Sequence, residues 1–588
     1  MISGPARNAQ RGQALVFVTI VILAVLLALV TMFSMGQLTT EKMRLQNTAD
    51  AAAYSAAVAQ ARDYNFSAYT NRAMIANQVA MAQLVGLTAW VRNYDDTFRT
   101  LTPQVSWMAR GAVANILWTP FVSALKGISS GLKSGFNSVA PGVAKALQLI
   151  IDALGIGQSV YHYGTAVTVA QTLGVDNKFN TILGNLTGFD LSGLTGLITF
   201  GNTYDVVKLN DPNASISLLG LIGFAYNTYK WFGFTEAKDP TLAKGSAKGD
   251  GTNSERFAKV TTSSMDGFYD IRTRPYVPFP WPLPSVLVDP TFLVGGPMVY
   301  GFTMLLFHNG GTELRNNNKT WSAMDVTSFF GLVTIPIFIP PFGPFINLPI
   351  LPWVIPPFGA GAGGAAQAGT SNAISSSGNF NRDNPAGNKS AADVYGNSYS
   401  ANAIAAAMQQ GKGAGTSLAT SGGLRKYREV ADTVQVTDTD HQNTSSPPII
   451  LEIEKPSSSI TTSATGNLRI GRGGSSDATS FCSLTSTMRN APPVTTTFGQ
   501  GNLDVGDGTA SNCMRAMSKA EAYFSRPTDL FARGDGKTEY GSLYNPYWQA
   551  RLLPNTTLEQ AVSLLFQGLN FSSVASAWEG STFQSWVN

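Results

Sequence analysis

The chain has 588 residues, 58 of them glycine, with 13% charged, 44% hydrophobic and a formal net charge of +4. An ordinary soluble domain carries about 25% charged residues, and disordered chains are short of apolar ones. General disorder is therefore set aside, and a surface outside the cytoplasm is favoured. Lysine and arginine are scattered along the chain, whereas a nucleic-acid protein gathers them on one face or tail, so nucleic acid is not an expected partner.

Rare residues narrow the field further. His162, His308 and His441 are far apart, Cys482 and Cys513 are the only cysteines, and there is no CxxC or HExxH. A zinc site needs about four ligands at such spacings. No metal, cofactor or small-molecule substrate is expected, and a structural or assembly protein is preferred to an enzyme.

The first element in chain order is a membrane helix. Gly12 to Thr40 holds no charge and no proline, and its apolar heart runs from Ala14 to Met35. At 1.5 Å per residue that heart reaches ~33 Å, against ~30 Å for the hydrocarbon core. A cleaved signal peptide would have a shorter apolar region and an A-x-A-like site, so a retained span is expected. Arg7 and Arg11 precede it, and Lys42 and Arg44 follow it, so the positive-inside rule is nearly balanced. Composition places the N-terminus in the cytoplasm and the bulk outside.

Beyond the span, Leu45, Ala49, Ala52, Ala56 and Ala59 recur in steps of four and three, with Ala53 and Ala57 widening the stripe. This is the spacing of a coiled-coil seam, and alanine lets backbones approach closely. The seam suits docking on a partner and docking on the chain's own domain equally well. Asp50, an acid among small residues, suits a basic group on another chain or on the outer domain, or solvent. Ala73, Ala76, Ala80, Leu84, Leu87 and Val91 form a second stripe, predicting helix to about Tyr94, with a potential break at Asp63-Tyr64-Asn65.

Arg11-Gly12-Gln13-Ala14-Leu15-Val16, the apolar span, and Leu45-Gln46-Asn47-Thr48-Ala49-Asp50-Ala51-Ala52-Ala53 together resemble the N-terminus of the TadG-like family. These are membrane proteins of the tight-adherence (Flp) pilus-assembly systems of bacteria. The family pattern is R-G-x-A, about twenty apolar residues, then L-Q-x-A-A-D-A-A-A, from which this chain departs at Thr48. Tyr69-Thr70-Asn71-Arg72-Ala73-Met74 and Ser542 to Leu552 also look similar to longer members. The resemblance implies a pilin-like accessory protein of the inner membrane. Its partners would be other pilin-like subunits, inner-membrane components of the pilus machinery and the lipid bilayer. Gly12, Ala14, Leu45, Ala49, Asp50, Ala52, Ala53 and Ala56 are the expected helix-packing and assembly residues. Phe17 stands where prepilin-peptidase substrates carry Glu, and Asp190-Leu191-Ser192-Gly193-Leu194 lacks the second Ser of a D-x-S-x-S metal site.

Residues 104–175 read as helices packed on one another. Ser215 to Phe234 reads as another, with Gly220 and Gly223 favouring packing over a second span. From Arg274 the prolines exclude helix; residues 297–307 read as a strand and Asn309-Gly310-Gly311 as a turn. Val326 to Asn381 holds no charge and repeats Ile-Pro-Pro-Phe-Gly, at Ile339–Gly343 and Ile355–Gly359. It reads as an extended loop whose Phe342 and Phe358 either pack on their own domain or touch a partner or lipid. A Gly/Ala/Ser-rich linker follows to Leu424. Cys513 to Phe524 and Leu558 to Leu569 read as helices beside strands, and the aromatics of Tyr544 to Arg551 as a local core.

Catalytic motifs are weak. Gly127-Ile128-Ser129-Ser130-Gly131 fits G-x-S-x-G but sits in helical surroundings, not on the strand-to-helix turn that motif needs. Gly359 to Gly364 contains G-x-G-x-x-G without a βαβ context. Asp504-Val505-Gly506-Asp507-Gly508 lacks a calcium loop's Glu. Cys482 and Cys513, an even pair outside the cytoplasm, suit a disulfide, with two buried thiols as the other reading.

The sequence thus predicts an α+β chain: a cytoplasmic tip (1–12), a transmembrane helix (13–36) and a pilin-like helical extension (37–96). A mainly helical region (97–273), a Pro/Phe-rich strand and loop region (274–359), a linker (360–424) and a C-terminal α+β region (425–588) follow. Its expected role is assembly or anchoring of a tight-adherence pilus by a single-pass inner-membrane protein. The alternative is a membrane-anchored adhesin or envelope-binding module.

Overall fold

The computed structural model describes residues 11–108, 112–175, 205–241, 252–265, 274–278, 286–288, 299–315, 318–337, 346–349, 359–369, 415–431, 445–456, 513–527, 541–556 and 559. It combines long helices with largely antiparallel sheets. The helices are α1 (Arg11–Met108), α2 (Ala112–Thr172), α3 (Val206–Asn210), α4 (Leu218–Phe234) and α5 (Thr252–Ser263). The strands are β1 (Ser215–Ile216), β2 (Thr235–Lys238), β3 (Arg274–Pro278), β4 (Val286–Val288), β5 (Val299–Arg315), β6 (Thr320–Ile337) and β7 (Ile346–Pro349). They continue with β8 (Gly359–Gly369), β9 (Gly415–Ala419), β10 (Tyr427–Val430), β11 (Ile449–Pro456), β12 (Cys513–Phe524) and β13 (Trp548–Leu553). Two compact units form, each from discontinuous stretches: Met1–Ala68, Ser159–Glu236 and Thr433–Asn588 in the first, Tyr69–Gln158 and Ala237–Asp432 in the second.

The first unit is built on the sheet β1-β11-β12-β13. Its strands pair antiparallel, with Ile453 opposite Ala516 and Phe524 opposite Trp548. Helix α4 lies on β11, and its approach explains two glycines: a Cβ at Gly220 or Gly223 would strike the backbone of Glu452 or Ile450. Ser217 caps α4, accepting from Gly220 N at 3.0 Å and donating to Glu452 Oε1 at 2.7 Å. A side-chain oxygen at the N-cap satisfies an otherwise orphan helix N–H. Tyr64 of α1 fills the core between Trp548 and Phe234, with ring centroids 4.6 and 5.5 Å away. The C-terminal aromatics thus form a local core, as read from the sequence.

Cys513 to Phe524, read as a helix, is instead the central strand β12. Ala516, Ser518, Ala520, Ala522 and Phe524 are buried at every second position. That period belongs to a strand; alanine, methionine and lysine favour helix only weakly, and pairing on both edges outweighs that preference. No break occurs at Asp63-Tyr64-Asn65, where α1 is continuous. Asn65 binds strand β13 through both ends of its amide, donating to Trp548 O at 2.9 Å and accepting from Trp548 N at 3.0 Å.

In the second unit β5 and β6 form a long hairpin that carries β3, β4 and β7 at its sides, while β8 joins β6 antiparallel and β9 joins β8 parallel. Asn309-Gly310-Gly311 is not the turn. Gly310 and Gly311 pair with Asp325 and Met324 inside the ladder. The chain reverses between Arg315 and Thr320, where Asn318 takes φ 63°, a left-handed conformation that asparagine tolerates. The stretch read as linker contains β8. Its glycines and alanines serve close packing: a Cβ at Gly364 would meet the α1 backbone at Ala89 and Asn93. A strand glycine often marks such an approach.

The inward face of α1 in this unit is also rotated from the predicted stripe. Asn71, Met74, Gln78, Met81, Val85 and Ala89 are buried; of the predicted stripe Val91 is buried too, whereas Ala73, Ala80, Leu84 and Leu87 are half-buried and Ala76 is exposed. Polar members of the buried face have partners. Asn71 donates to Arg428 O at 2.8 Å, and Gln78 links Trp321 Nε1 (2.8 Å) to Gly423 O (2.9 Å). A hydrophobic count misses a face whose amides are satisfied inside the core.

Candidate membrane-anchoring and assembly site

From Leu15 to Leu29 every residue of α1 is exposed, including Leu15 at 72%, Phe17 at 69% and Leu23 at 63%. The same side chains would be buried if this were a core helix, so the apolar rod is left for another solvent. Its hydroxyls do not spoil it: Thr19 Oγ1 donates to Leu15 O at 2.8 Å and Thr40 Oγ1 to Gly36 O at 2.9 Å. In lipid a polar group must be satisfied internally, and these are.

Two longer helical stretches are also apolar enough to cross a membrane, Thr39–Arg99 and Ser123–Thr172. In the first, 56% of the most apolar window is buried within the protein, against 17% in the second. Thr39–Arg99 also buries Asp63 and Asp95. Asp63 Oδ2 lies 2.5 Å from His162 Nδ1, among the rings of Trp231 and Phe232. This stretch is core helix.

Where the rod meets the first unit, charged and polar side chains clamp it. Lys455 Nζ donates to Glu41 Oε2 and Asp211 Oδ2, both at 2.7 Å. Lys42 donates to Arg515 O, Arg44 to Asn210 O at 3.2 Å, and Gln46 Nε2 to Met517 O at 2.9 Å. Arg515 in turn lies between Glu452 and Glu454, at 3.4 and 3.5 Å.

Leu45, Ala49, Ala52, Ala53 and Ala56 have no exposed surface. These side chains are covered by the chain's own fold, while Ala59 is half-buried. Asp50 is half-buried and accepts from Gln46 Nε2 at 3.0 Å, four residues back on its own helix. A search for cations around Asp50 overlooks this amide. Gly12 and Ala14 are helical in backbone. Phe342, Phe358 and Cys482 lie outside the described residues, as does the side chain of Cys513.

A second polar cluster lies in the other unit. Asp95 is buried and receives Lys133 Nζ at 2.7 Å, Ser130 Oγ at 3.0 Å and Arg99 Nε at 3.0 Å. Burial opposes its charge, but the hydrogen bonds from Lys133 and Ser130 and the charges of Lys133 and Arg99 outweigh it and hold its pKa below the ordinary value. Ser129 of the G-x-S-x-G string is mid-helix and donates to Lys126 O at 3.0 Å. Gly359 to Gly364 runs as strand rather than phosphate loop.

An exposed apolar rod continuous with a clamped alanine-rich helix marks a membrane-associated protein. Residues 12–60 match the family model described as Putative Flp pilus-assembly TadE/G-like. That N-terminal segment is thus similar to TadE/G-like proteins of Flp pilus assembly. No curated protein and no solved structure matches the chain.

Proposed function

We propose that the protein is a single-pass inner-membrane accessory factor for assembly or anchoring of a tight-adherence pilus. The observation that carries this reading is the bare apolar rod of α1 inside the TadE/G-like match, joined to a folded unit by the Glu41–Lys455–Asp211 clamp. The rod sits in the bilayer with its N-terminus in the cytoplasm, and the rest of the chain lies outside. The clamp transmits position: a helix held by buried ion pairs cannot swivel freely beneath its domain. With Ala49, Ala52, Ala53 and Ala56 committed to the chain's own core, contacts to pilin-like subunits and machinery fall to the rod within the membrane and to the outer surfaces of the units. The test is a chromosomal deletion complemented by the wild-type chain or by Ile22→Arg. Complementation by wild type alone, with Ile22→Arg lost from the membrane fraction, supports the reading. Normal pili in the deletion strain, with loss only of surface attachment, would make the chain an adhesin.

A further inference from the structure

Helix α1 is unbroken where the apolar rod enters the first unit, so heights above the membrane follow from its rise. Counted from Met35, the end of the apolar heart, Glu41 stands ~9 Å and Arg44 ~14 Å along the axis at 1.5 Å per residue. Any tilt of the helix lowers both. The headgroup layer occupies ~5–8 Å beyond the hydrocarbon core on each side. Helical side chains lean toward the helix N-terminus, which here is toward the bilayer. The first charged turn of α1 therefore stands at the headgroups.

The chain ties α3 and the turn after it to this level. Arg44 donates to Asn210 O at 3.2 Å, and Lys455 holds Glu41 and Asp211 together. Asn213 N donates to Asp211 Oδ1 at 3.1 Å. Val207 of α3 is buried, whereas Leu209 is 65% exposed and Pro212 and Asn213 are exposed. Met43, at the same height on α1, is 56% exposed. A single exposed leucine is ordinary on a protein surface; its height is what distinguishes Leu209. Charge does not choose the lipid here: Lys42, Arg44 and Lys208 are cations of this end, and Glu41, Asp205 and Asp211 are acids of it.

The other end of α4 lies far from this level. Gln60 donates to Asn227 Oδ1 at 3.0 Å, and the ring of Tyr64 lies 5.5 Å from that of Phe234. Tyr229, between Asn227 and Phe234 and 75% exposed, is thus level with a part of α1 that stands ~40 Å beyond Met35 at the same rise.

We propose that the first unit is seated directly on the bilayer, with Leu209 to Asn213 in the headgroup layer. This rests on the rod crossing the membrane and deepens that reading: the unit grips the rod where it leaves the lipid and bears on the lipid at the same place.

The test uses the full-length chain reconstituted in vesicles of phosphatidylethanolamine with phosphatidylglycerol. A photo-crosslinking phenylalanine analogue replaces Leu209 or Asn213, with Val18 as the reference inside the rod and Tyr229 as the reference at the far end. Lipid adducts are expected at Leu209, Asn213 and Val18, and none above background at Tyr229. A charged, helix-forming insert of about eleven residues between Thr40 and Glu41, close to three turns, lifts the unit by ~16 Å without turning it. It should abolish lipid adducts at Leu209 and Asn213 and leave those at Val18. Absence of lipid adducts at both positions in the chain without the insert, adducts there to a second copy instead, or lipid adducts that survive the insert overturn the inference while Val18 keeps the anchor standing. Failure of Val18 to label lipid overturns the anchor and this inference with it.

Discussion

Lys455 Nζ and Glu41 Oε2 lie 2.7 Å apart, joining the first charged turn beyond the apolar rod to strand β11, with Asp211 Oδ2 at the same distance on the lysine's other side. Lys455 is 2% exposed and Asp211 1%, so the three charges stand or fall together. Removing one partner of a buried pair strands the others at a cost of about 3–5 kcal/mol.

Lys455→Met should therefore destabilise the first unit by about 3–5 kcal/mol without affecting membrane insertion, because the apolar rod is untouched. Limited proteolysis of membranes carrying the variant should release fragments of the outer region under conditions that leave wild type intact. Equal resistance would show that the clamp contributes nothing.

Ala52→Leu and Ala56→Leu test the seam. Both positions have no exposed surface, and overpacking a close-packed core costs typically ~1–3 kcal/mol. Each variant should lower the thermal midpoint of the detergent-solubilised chain, and the double variant more than either. A pilus defect at unchanged thermal stability would return the seam to intermolecular docking.

These outcomes show where the sequence is legible. The rod, the alanine seam and the close approach of α4 at Gly220 and Gly223 are visible because each is a local pattern. Strand β12 and strand β8 are not. Ala516 to Ala522 reads as helix until β11 and β13 pair with both its edges, and Ala360 to Gly369 reads as linker until helix α1 is laid against it. The inward face of α1 at Asn71 and Gln78 is hidden for a related reason: those amides look solvent-facing until Arg428, Trp321 and Gly423 supply their partners. At the candidate site, Leu45, Ala49, Ala52 and Ala56 are legible as a packing surface, but Lys455 and Asp211 lie hundreds of residues from Glu41 and carry no motif.

Ile22→Arg tests the rod. Ile22 is 54% exposed near the middle of the Leu15–Leu29 stretch, and arginine at the centre of a spanning helix costs about 2.5–3.5 kcal/mol of insertion. The variant should move from the carbonate-resistant pellet toward the soluble fraction, whereas Ile22→Leu should stay in the pellet.

Cys482 and Cys513 are expected to pair if the C-terminal region lies outside the cytoplasm, closing a loop that adds ~3–4 kcal/mol in the chain-entropy account. Alkylation without reductant followed by mass spectrometry decides it. Intact unmodified cysteines mean a disulfide, and two alkylated ones mean free thiols.

Asp95 sets the acid response of the second unit. Its folded pKa lies below the ordinary carboxylate value because Lys133, Ser130 and Arg99 favour the charged form more strongly than burial opposes it. The unfolded chain therefore binds the proton more readily than the folded one, and stability rises with pH across that interval. The contribution is complete above the unfolded carboxylate pKa of about 3.9 and disappears as pH falls through the depressed folded value. Asp95→Asn keeps the size of the side chain and removes the charge, leaving Lys133 and Arg99 without their anion. It should cost about 2 kcal/mol at neutral pH, the range of a hydrogen bond to a charged group, and remove that part of the acid dependence. Urea unfolding of the full-length chain in detergent at pH 7 and at several pH values below about 4 gives both quantities. Ser129→Ala loses a 3.0 Å bond to Lys126 O of its own helix and only a 3.4 Å contact to Asp95 Oδ1, so it should leave the acid dependence unchanged. If Asp95→Asn matches wild type at pH 7, the carboxylate is not what joins α1 to α2 in this unit.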